Sequence, residues 1–493
     1  RSLTEVGAAD LARIAGIPRC RFDLVYDPEA HRLDGRESMS FTNRGPDALA
    51  DLAFHTFGNA AVYHGAELTI TAARVDGVEA VVEPVRDGTA AMVHLPTVLA
   101  SGAETRIDLT FHTTLSTHGG LYGLLASDHG VDCFYGWHPE LAVRRDGRWQ
   151  LHPVGQHGDP TQNEMFHALV TIRLPSGSQL MSSGSEVSRT LGLDGASTTV
   201  ISSAFTRNLV LVVGSGFQSL RRQVGGTEVV SWHRPESAIG GQRALDTAAD
   251  ALDFFAERLG PYPYREFDVV EAQLGEAVGG MESTGLILID RANYTALSLA
   301  GDPGAFETMP TFMMAMVVSH ETAHQWWYDL VGSDSYLYPW LDESLTNWTG
   351  CWYLEQRMGP VSASGGFQTC LMECGADPTG RTMPLNLAAD AYPDDLSYGG
   401  VIYGRGALMY QALRRKVGDA AFGRFLAAYQ QRFRYGYARE SDLLSTLAET
   451  LGQDTQEWFR TTWVEGVGLT PRDLMEASRA MPRSQPGDDA KDH

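Results

Sequence analysis

The sequence predicts an α+β fold in two parts, an N-terminal antiparallel β-sandwich or saddle followed by a mainly helical domain. Short extended runs alternate with turn residues up to about residue 232, whereas the apolar period becomes that of helices from Gly240 onward. The length of 493 residues suits two to three domains with substantial cores. We therefore predict a β domain at residues 1–232, a helical domain at 233–473 and a polar, disordered tail at 474–493.

Individual elements can be predicted from local patterns. Five runs in the first part have the length and flanking turn residues of strands: Arg21–Tyr26, Glu37–Thr42, Thr105–Phe111, His167–Arg173 and Asn208–Val213. The second part opens with a helical pattern at Ala244–Arg258 and a strand-like run at Phe267–Val270. After Tyr403 the sequence is mostly helical through Trp463.

The segment His320-Glu-Thr-Ala-His324 places two imidazoles four residues apart. Such a helical spacing advances about 6 Å and slightly more than one turn, so both rings project from one face. Pro310 suits the start of this helix and Gly332 its end. Zinc accepts imidazole and carboxylate ligands, and a catalytic zinc site leaves its fourth position to water. We predict that one Zn2+ ion is bound by His320, His324 and Glu343, with Glu321 as the general base.

Three motifs together resemble one family, the aminopeptidase N-like zinc metallopeptidases, or gluzincins. His324 and Glu343 enclose eighteen residues, as in that family. Gly279-Gly280-Met281-Glu282-Ser283 is similar to its Gly-x-Met-Glu-Asn segment, and Tyr403-Gly-Arg-Gly406 to its Tyr-x-Lys-Gly segment. The resemblance implies a thermolysin-like catalytic domain in a reduced, two-domain form with an open cleft.

The same resemblance implies roles for the residues of these motifs. Glu282 would bind the free α-ammonium of a peptide, with Gly279, Gly280 and Met281 beside the substrate. The Tyr403 hydroxyl would stabilise the tetrahedral oxyanion.

The sequence also departs from the family pattern. Ser283, Ser344 and Arg405 replace the usual Asn, Gly and Lys. Gly350 stands where the family often has an acid that supports the metal site, and Asn347 or Asp342 is the candidate replacement.

Further site candidates come from two places in the chain. Tyr398 and Arg405 lie close to Tyr403 in sequence. The family's N-terminal segment that helps to bind the substrate amine has no clear counterpart, and Cys133–Glu140 is the candidate for its place. Its candidate residues are Tyr135, His138 and Glu140, for which ordinary packing and surface roles are the favoured interpretation.

The charge and the apolar content of the chain limit the kinds of molecule and surface that it can bind. The net charge of −23 opposes binding to nucleic acid or anionic membranes. No apolar run approaches the ~20 residues of a membrane span, so we expect a soluble protein, with a monomer favoured. Residue 1 is Arg, which leaves cytoplasmic and secreted or periplasmic locations open. The strong preference for Arg over Lys is typical of a bacterial, GC-rich genome.

The five cysteines form no Cys-x-x-Cys pair, so a disulfide framework is not expected. Cys370 and Cys374 have helical spacing suited to a metal, but buried thiols are the favoured interpretation.

The leading prediction is a zinc aminopeptidase that acts on peptides with a free N-terminus. One alternative is a zinc hydrolase with endopeptidase or epoxide hydrolase activity. The other is a non-catalytic peptide-binding or scaffold protein that keeps the fold.

Overall fold

A computed structural model describes residues 1–159, 163–275, 278–300, 308–357, 360–376, 382–479 and 481. It divides the chain into two compact units. The first unit comprises Arg1–Val154, Pro160–Ala249 and Tyr262–Leu299, and the second comprises Gly155–Asp159, Asp250–Pro261 and Ala300–His493. The boundary between the β domain and the helical domain, predicted between residues 232 and 233, stays a prediction.

The strands are, in chain order, β1 (Arg19–Asp27), β2 (Arg32–Thr42), β3 (Leu49–His55), β4 (Glu67–Val75), β5 (Val78–Glu79), β6 (Val82–Val85), β7 (Ala90–Leu99), β8 (Glu104–Thr114), β9 (Leu125–Asp128), β10 (Val131–Phe134), β11 (Glu140–Leu141), β12 (Arg144–Arg145), β13 (Arg148–Trp149), β14 (Phe166–Leu174), β15 (Gln179–Ser182), β16 (Ser185–Leu191), β17 (Ser197–Thr206), β18 (Leu211–Gly214), β19 (Gln218–Val224), β20 (Thr227–His233), β21 (Glu266–Ala272), β22 (Gly280–Ser283), β23 (Leu286–Asp290), β24 (Val331–Gly332) and β25 (Gly436–Tyr437).

The α-helices are α1 (Glu5–Leu11), α2 (Ala238–Leu259), α3 (Arg291–Ala300), α4 (Met309–Ala323), α5 (Glu343–Arg357), α6 (Pro360–Ala376), α7 (Asp395–Tyr398), α8 (Gly406–Val417), α9 (Asp419–Phe433), α10 (Glu440–Leu451), α11 (Gln453–Trp458) and α12 (Pro471–Ala477). Two π-helical segments, Gly399–Arg405 and Phe459–Val464, precede α8 and follow α11. The predicted order of a β-rich part followed by a helical part is confirmed.

An eight-stranded sheet dominates the first unit, in the order β16-β17-β14-β1-β2-β8-β4-β5. Its pairings are antiparallel except between β1 and β14, which run parallel. Along β1, buried residues such as Phe22 and Leu24 alternate with exposed ones, because successive side chains of a strand point to opposite faces. One face of the sheet therefore covers the core.

Strand β18 begins three residues later than the predicted run at Asn208–Val213. The Asn208 carbonyl accepts a hydrogen bond from the Thr206 hydroxyl at 2.8 Å, which holds this stretch in a local turn. The other four predicted strands of the first part lie within observed strands.

A five-stranded sheet in the first unit has the order β19-β20-β21-β23-β22. Strand β23 pairs parallel with β21 and antiparallel with β22. Strand β22 is therefore an edge strand, and it carries the predicted amine-binding Glu282.

Helix α4 begins and ends through identifiable local interactions. The Thr308 and Thr311 side chains form a capping box, and Pro310 occupies the first turn as predicted. The helix ends at Ala323 and not near Gly332, so that part of the prediction was wrong. Tyr328 has φ of 140°, which no helix accommodates, and the chain turns before β24.

The C-terminal part of the chain contains one more helix than predicted. The Thr470 side chain caps α12, whose Leu474 and Ala477 are buried, so the helix extends four residues into the predicted tail. Residues 480 and 482–493 of that tail lie outside the described residues. Within the described part of the chain, no helix combines the length and apolarity that crossing a bilayer requires.

A buried imidazole lies between two carboxylates in the core of the first unit. His138 Nδ1 is 3.6 Å from Glu37 Oε2, and His138 Nε2 is 3.8 Å from Glu140 Oε1. Burial lowers the pKa of His138, but the two carboxylates outweigh it and raise the pKa above its ordinary value. Burial raises the pKa of Glu140 to about 7.

This cluster predicts that stability falls as pH rises. Between 4.5, the ordinary glutamate value, and about 7, folded Glu140 holds a proton that the unfolded chain has released. His138 acts in the same direction, because its protonation stabilises the folded state only below its raised pKa. We expect Glu140→Gln to reduce the fall in the urea unfolding midpoint between about pH 5 and about pH 8.

Glu83→Gln is the matched control, because Glu83 pairs with His94 at 2.9 Å on the exposed surface, where ion pairs contribute little. A Glu140→Gln protein whose midpoint falls as steeply as that of the wild type would contradict this account.

Candidate metal centre

The predicted ligands lie together in the second unit. His320 is on α4, His324 caps its C-terminus, and Glu343 is the first residue of α5. The two Nε2 atoms are 3.2 Å apart, and Glu343 Oε2 is 3.2 Å from His320 Nε2 and 3.4 Å from His324 Nε2. Three ligand atoms thus converge on one point.

Hydrogen bonds on the far side of each ring orient the two imidazoles. His320 Nδ1 donates to Asn347 Oδ1 at 3.3 Å, and His324 Nδ1 donates to the Trp327 carbonyl at 3.0 Å. With hydrogen on Nδ1, each Nε2 directs a lone pair toward the Glu343 carboxylate. Lone pairs and a carboxylate at these distances repel one another unless a cation lies between them, so the donor set fits a divalent metal such as zinc.

Glu321 lies beside the ligands on α4 and is buried. Burial raises its pKa to about 8, the His324 imidazole opposes this, and the Glu343 carboxylate adds to it. None of the described residues donates a hydrogen bond to Glu321 Oε2. A carboxyl group with such a perturbed pKa is typical of a proton-transfer residue.

Tyr403 extends from the π-helical segment Gly399–Arg405 to the ligand set. Its hydroxyl donates to Glu343 Oε1 at 2.5 Å. Burial and the Glu343 carboxylate hold the pKa of Tyr403 well above its ordinary value. The side chain therefore stays a neutral hydrogen-bond donor.

The neighbouring candidates have different partners. Asp342 Oδ1 accepts from the Glu343 amide at 2.7 Å, so it supports the start of α5, whereas Asn347 bonds a ligand imidazole. Tyr398 packs edge-on against Tyr403, with ring centroids 5.9 Å apart. Arg405 is fully buried and donates to the Met383 carbonyl. Any catalytic role for these residues stays a prediction.

The Glu282 motif belongs to the first unit. Glu282 and Met281 are buried on the edge strand β22, and the Gly279 carbonyl accepts a hydrogen bond from the Asp290 amide at 2.9 Å. Gly280 pairs with Ile289 of β23.

The candidates at 133–140 also lie in the first unit, inside its core. Tyr135 is buried and accepts a hydrogen bond from the Asn208 side chain. His138 and Glu140 form the buried cluster with Glu37 described above. Their predicted role as a substrate subsite is untested by these positions.

Sequence reasoning missed Gly155–Asp159, which the structure places in the second unit with the metal ligands. His157 Nδ1 is 2.5 Å from Asp395 Oδ1, and the His157 ring stacks on Tyr398 at 5.6 Å. After burial, Asp159 is the main cause of the raised pKa of Asp342; it also adds to the raised pKa of Tyr403, behind burial, Glu343 and Tyr398. The only signal in the sequence is His-Gly-Asp near two prolines, which is too common to indicate a site.

All five cysteines are free and buried. Cys351 of α5 and Cys370 of α6 bring their Sγ atoms within 3.6 Å of each other. The described residues contain no cysteine among the clusters whose geometry suits a metal.

Comparison with known proteins gives matches to one family. Residues 243–463 match the Peptidase family M1 domain. Aminopeptidase N of Streptomyces lividans is 30% identical over 248 residues, which are 48% of this chain and 27% of that protein. Aminopeptidase M1-B of Oryza sativa subsp. japonica is 26% identical over 254 residues, with 49% and 27% covered. The chain thus matches about a quarter of the length of these curated relatives.

Solved structures match the fold of this chain over most of its length. The M1 zinc metallopeptidase from Deinococcus radiodurans has a TM-score of 0.67 and 19% identity, with 92% of this chain and 95% of that chain covered. A mutant of that metallopeptidase, bound to a Tyr-Ser-Ala substrate, matches equally well. At this identity the likeness establishes the fold. Residues 243–463 are thus similar to the Peptidase family M1 domain, and the chain is similar over that part to aminopeptidase N-like metallopeptidases.

Proposed function

We propose that this chain is a zinc-dependent aminopeptidase that hydrolyses the N-terminal peptide bond of peptides. The observation that carries the proposal is the convergence of His320 Nε2, His324 Nε2 and Glu343 Oε2 within 3.4 Å of one another. The relatives named aminopeptidases support it, although the chain matches only part of their length.

The residues around the ligands suit peptide hydrolysis. Zinc, when bound, would polarise the scissile carbonyl and lower the pKa of a water molecule toward about 7. Glu321 would accept the proton of the attacking water and return it to the leaving amine, as general base and then general acid. Its burial on α4, one residue after His320, supports this role.

Tyr403 would stabilise the negative charge that develops on the carbonyl oxygen. Its hydroxyl is a neutral donor held at the ligand set by Glu343. A preorganised donor of this kind costs no reorganisation when the charge forms.

Glu282 would select peptides with a free N-terminus. A buried carboxylate attracts the α-ammonium of such a substrate, whereas an acylated amine offers it no positive charge. Its position on an edge strand also suits a peptide that adds to the sheet as a further strand. These two features favour removal of N-terminal residues over internal cleavage.

We expect the zinc-loaded protein to release amino acids stepwise from Tyr-Ser-Ala and longer free-amine peptides, but not from their N-acetylated forms. Glu321→Gln should abolish release, because amide has no basic oxygen for the proton. Mass spectrometry of all products measures every cut. Removal of zinc with a chelator should stop the reaction, and added zinc should restore it.

Glu476→Gln is the matched control, because Glu476 pairs with Arg472 on the exposed surface of α12. Equal internal cleavage of free and acetylated peptides would contradict the role of Glu282 and favour an endopeptidase. No cleavage of any peptide would favour epoxide hydrolysis or a peptide-binding scaffold.

We expect Tyr403→Phe to lower kcat by roughly two to three orders of magnitude while KM changes little, because a preorganised oxyanion donor contributes about 2.7 to 4 kcal/mol to the transition state. Steady-state kinetics on one free-amine peptide measures both constants.

The control is Tyr353→Phe, which also removes a buried tyrosine hydroxyl, one that donates to Asp250 at 3.0 Å. Its kcat should stay near that of the wild type. If Tyr403→Phe keeps at least a third of wild-type kcat, Tyr403 is not the oxyanion donor.

A further inference from the structure

Helix α5 directs two polar side chains at the π-helical segment that carries Tyr403. Ser344 Oγ donates to the Ile402 carbonyl at 2.6 Å, and Asn347 Nδ2 donates to the Tyr403 carbonyl at 2.9 Å. Both side chains are buried. They stand one helical turn apart and thus face the same surface.

The backbone they contact is unusual. A π-helix is rare, occurs mostly as a short bulge at functional sites, and shifts its hydrogen bonds away from the regular helical pattern. The carbonyls of this segment can accept a second hydrogen bond from outside, because a carbonyl oxygen has two lone pairs, and the Tyr403 carbonyl already accepts one from the Gly406 amide. Two side chains of α5 donate to two consecutive carbonyls of the segment, those of Ile402 and Tyr403.

Close packing holds the segment against α5. A Cβ atom at Gly406 would lie 1.9 Å from Ser344 Oγ, so only glycine allows this approach. On another side, a Cβ atom at Gly404 would lie 2.7 Å from the Cys374 amide of α6. The backbone around Tyr403 is therefore fixed from two helices.

Helix α5 also holds the other end of Tyr403. The Tyr403 hydroxyl donates to Glu343, the first residue of α5. Asn347 in addition accepts from His320 Nδ1 at 3.3 Å, so one side chain links a ligand ring to the tyrosine backbone.

We propose that Ser344 and Asn347 are positioning residues that clamp Tyr403 against the metal ligands, and that Asn347 also orients His320. This inference rests on the proposed function. Ser344 acts on Tyr403 alone, through the Ile402 carbonyl. Asn347 acts on Tyr403 as a donor and on His320 as an acceptor, so its two effects are separable.

The test for Ser344 is a double-mutant cycle with Tyr403→Phe. Ser344→Ala should lower kcat about tenfold, the usual value of one hydrogen bond, with KM and zinc affinity unchanged. In the Tyr403→Phe background the same change should have no further effect, because the residue acts through the hydroxyl already removed. Ser344→Cys, with a weaker donor, should fall between wild type and Ser344→Ala.

Ser445→Ala is the matched control, because it removes an exposed serine hydroxyl that donates to a backbone carbonyl of α10 at 3.0 Å. An equal loss of kcat from Ser344→Ala in both backgrounds would mean that Ser344 serves packing alone, and would overturn the clamp.

The test for Asn347 separates its acceptor from its donor. Asn347→Ala should weaken zinc binding about 10- to 100-fold, measured by competition with a chromophoric chelator, and lower kcat as well. Asn347→Asp keeps the acceptor for His320 Nδ1 but loses the donor to the Tyr403 carbonyl. It should restore zinc affinity while kcat stays low. Recovery of both, or of neither, would overturn the double role.

A crystal structure of Ser344→Ala provides a readout that needs no activity. The clamp predicts a displaced or disordered Tyr403 ring, whereas an ordered ring with its hydroxyl still on Glu343 would overturn it. If the wild type cleaves no peptide, the proposed function fails, and this structure and the zinc competition still decide the inference.

Discussion

Three acidic side chains are buried beside His320 and His324 in the second unit, and the cost of burying their charges governs which groups surround them. Glu321, Asp342 and Glu343 are all buried next to His320 and His324. Charges in such a place are costly without compensation, so each group needs a hydrogen-bond partner or a cation. The Trp327 carbonyl and the Asn347 amide oxygen bond the two imidazoles, the Tyr403 hydroxyl bonds Glu343, and the proposed zinc ion supplies the positive charge.

Because each buried charged group needs a partner close by, the side chains of the proposed metal centre come from a few neighbouring helices. Helix α4 supplies His320 and Glu321, and α5 supplies Glu343 and Asn347. Gly350 of α5 lies against α4, where an added Cβ atom would be 3.3 Å from the His320 amide. The residue that replaces an acid in the family pattern thus allows close helix packing, and Asn347 bonds the imidazole instead. The His320 imidazole is therefore held by the Asn347 amide, where the family pattern would offer an acid at position 350.

The sequence predicted the parts of this structure that depend on local spacing. The convergence of His320, His324 and Glu343 follows from fixed intervals along the chain, and the strands of the first part follow from the alternation that one buried face imposes. Gly155–Asp159 could not be predicted, because its place beside Tyr398 depends on contacts between residues more than 200 positions apart. That α4 does not reach Gly332 was missed because nothing in the local sequence marks the positive φ of Tyr328, a conformation usually left to glycine. The pairing of Ser344 and Asn347 with the π-helical segment is likewise a tertiary feature.

In the proposed centre, two imidazoles and one carboxylate hold one zinc ion. X-ray absorption spectroscopy at the zinc edge, on protein loaded with one equivalent of zinc, tests it most directly. We expect only nitrogen and oxygen neighbours at about 2.0–2.2 Å, with the outer-shell pattern of two imidazoles. A sulfur neighbour at about 2.3 Å would place the ion at the Cys351 and Cys370 thiols, whose Sγ atoms are 3.6 Å apart, and would contradict the account.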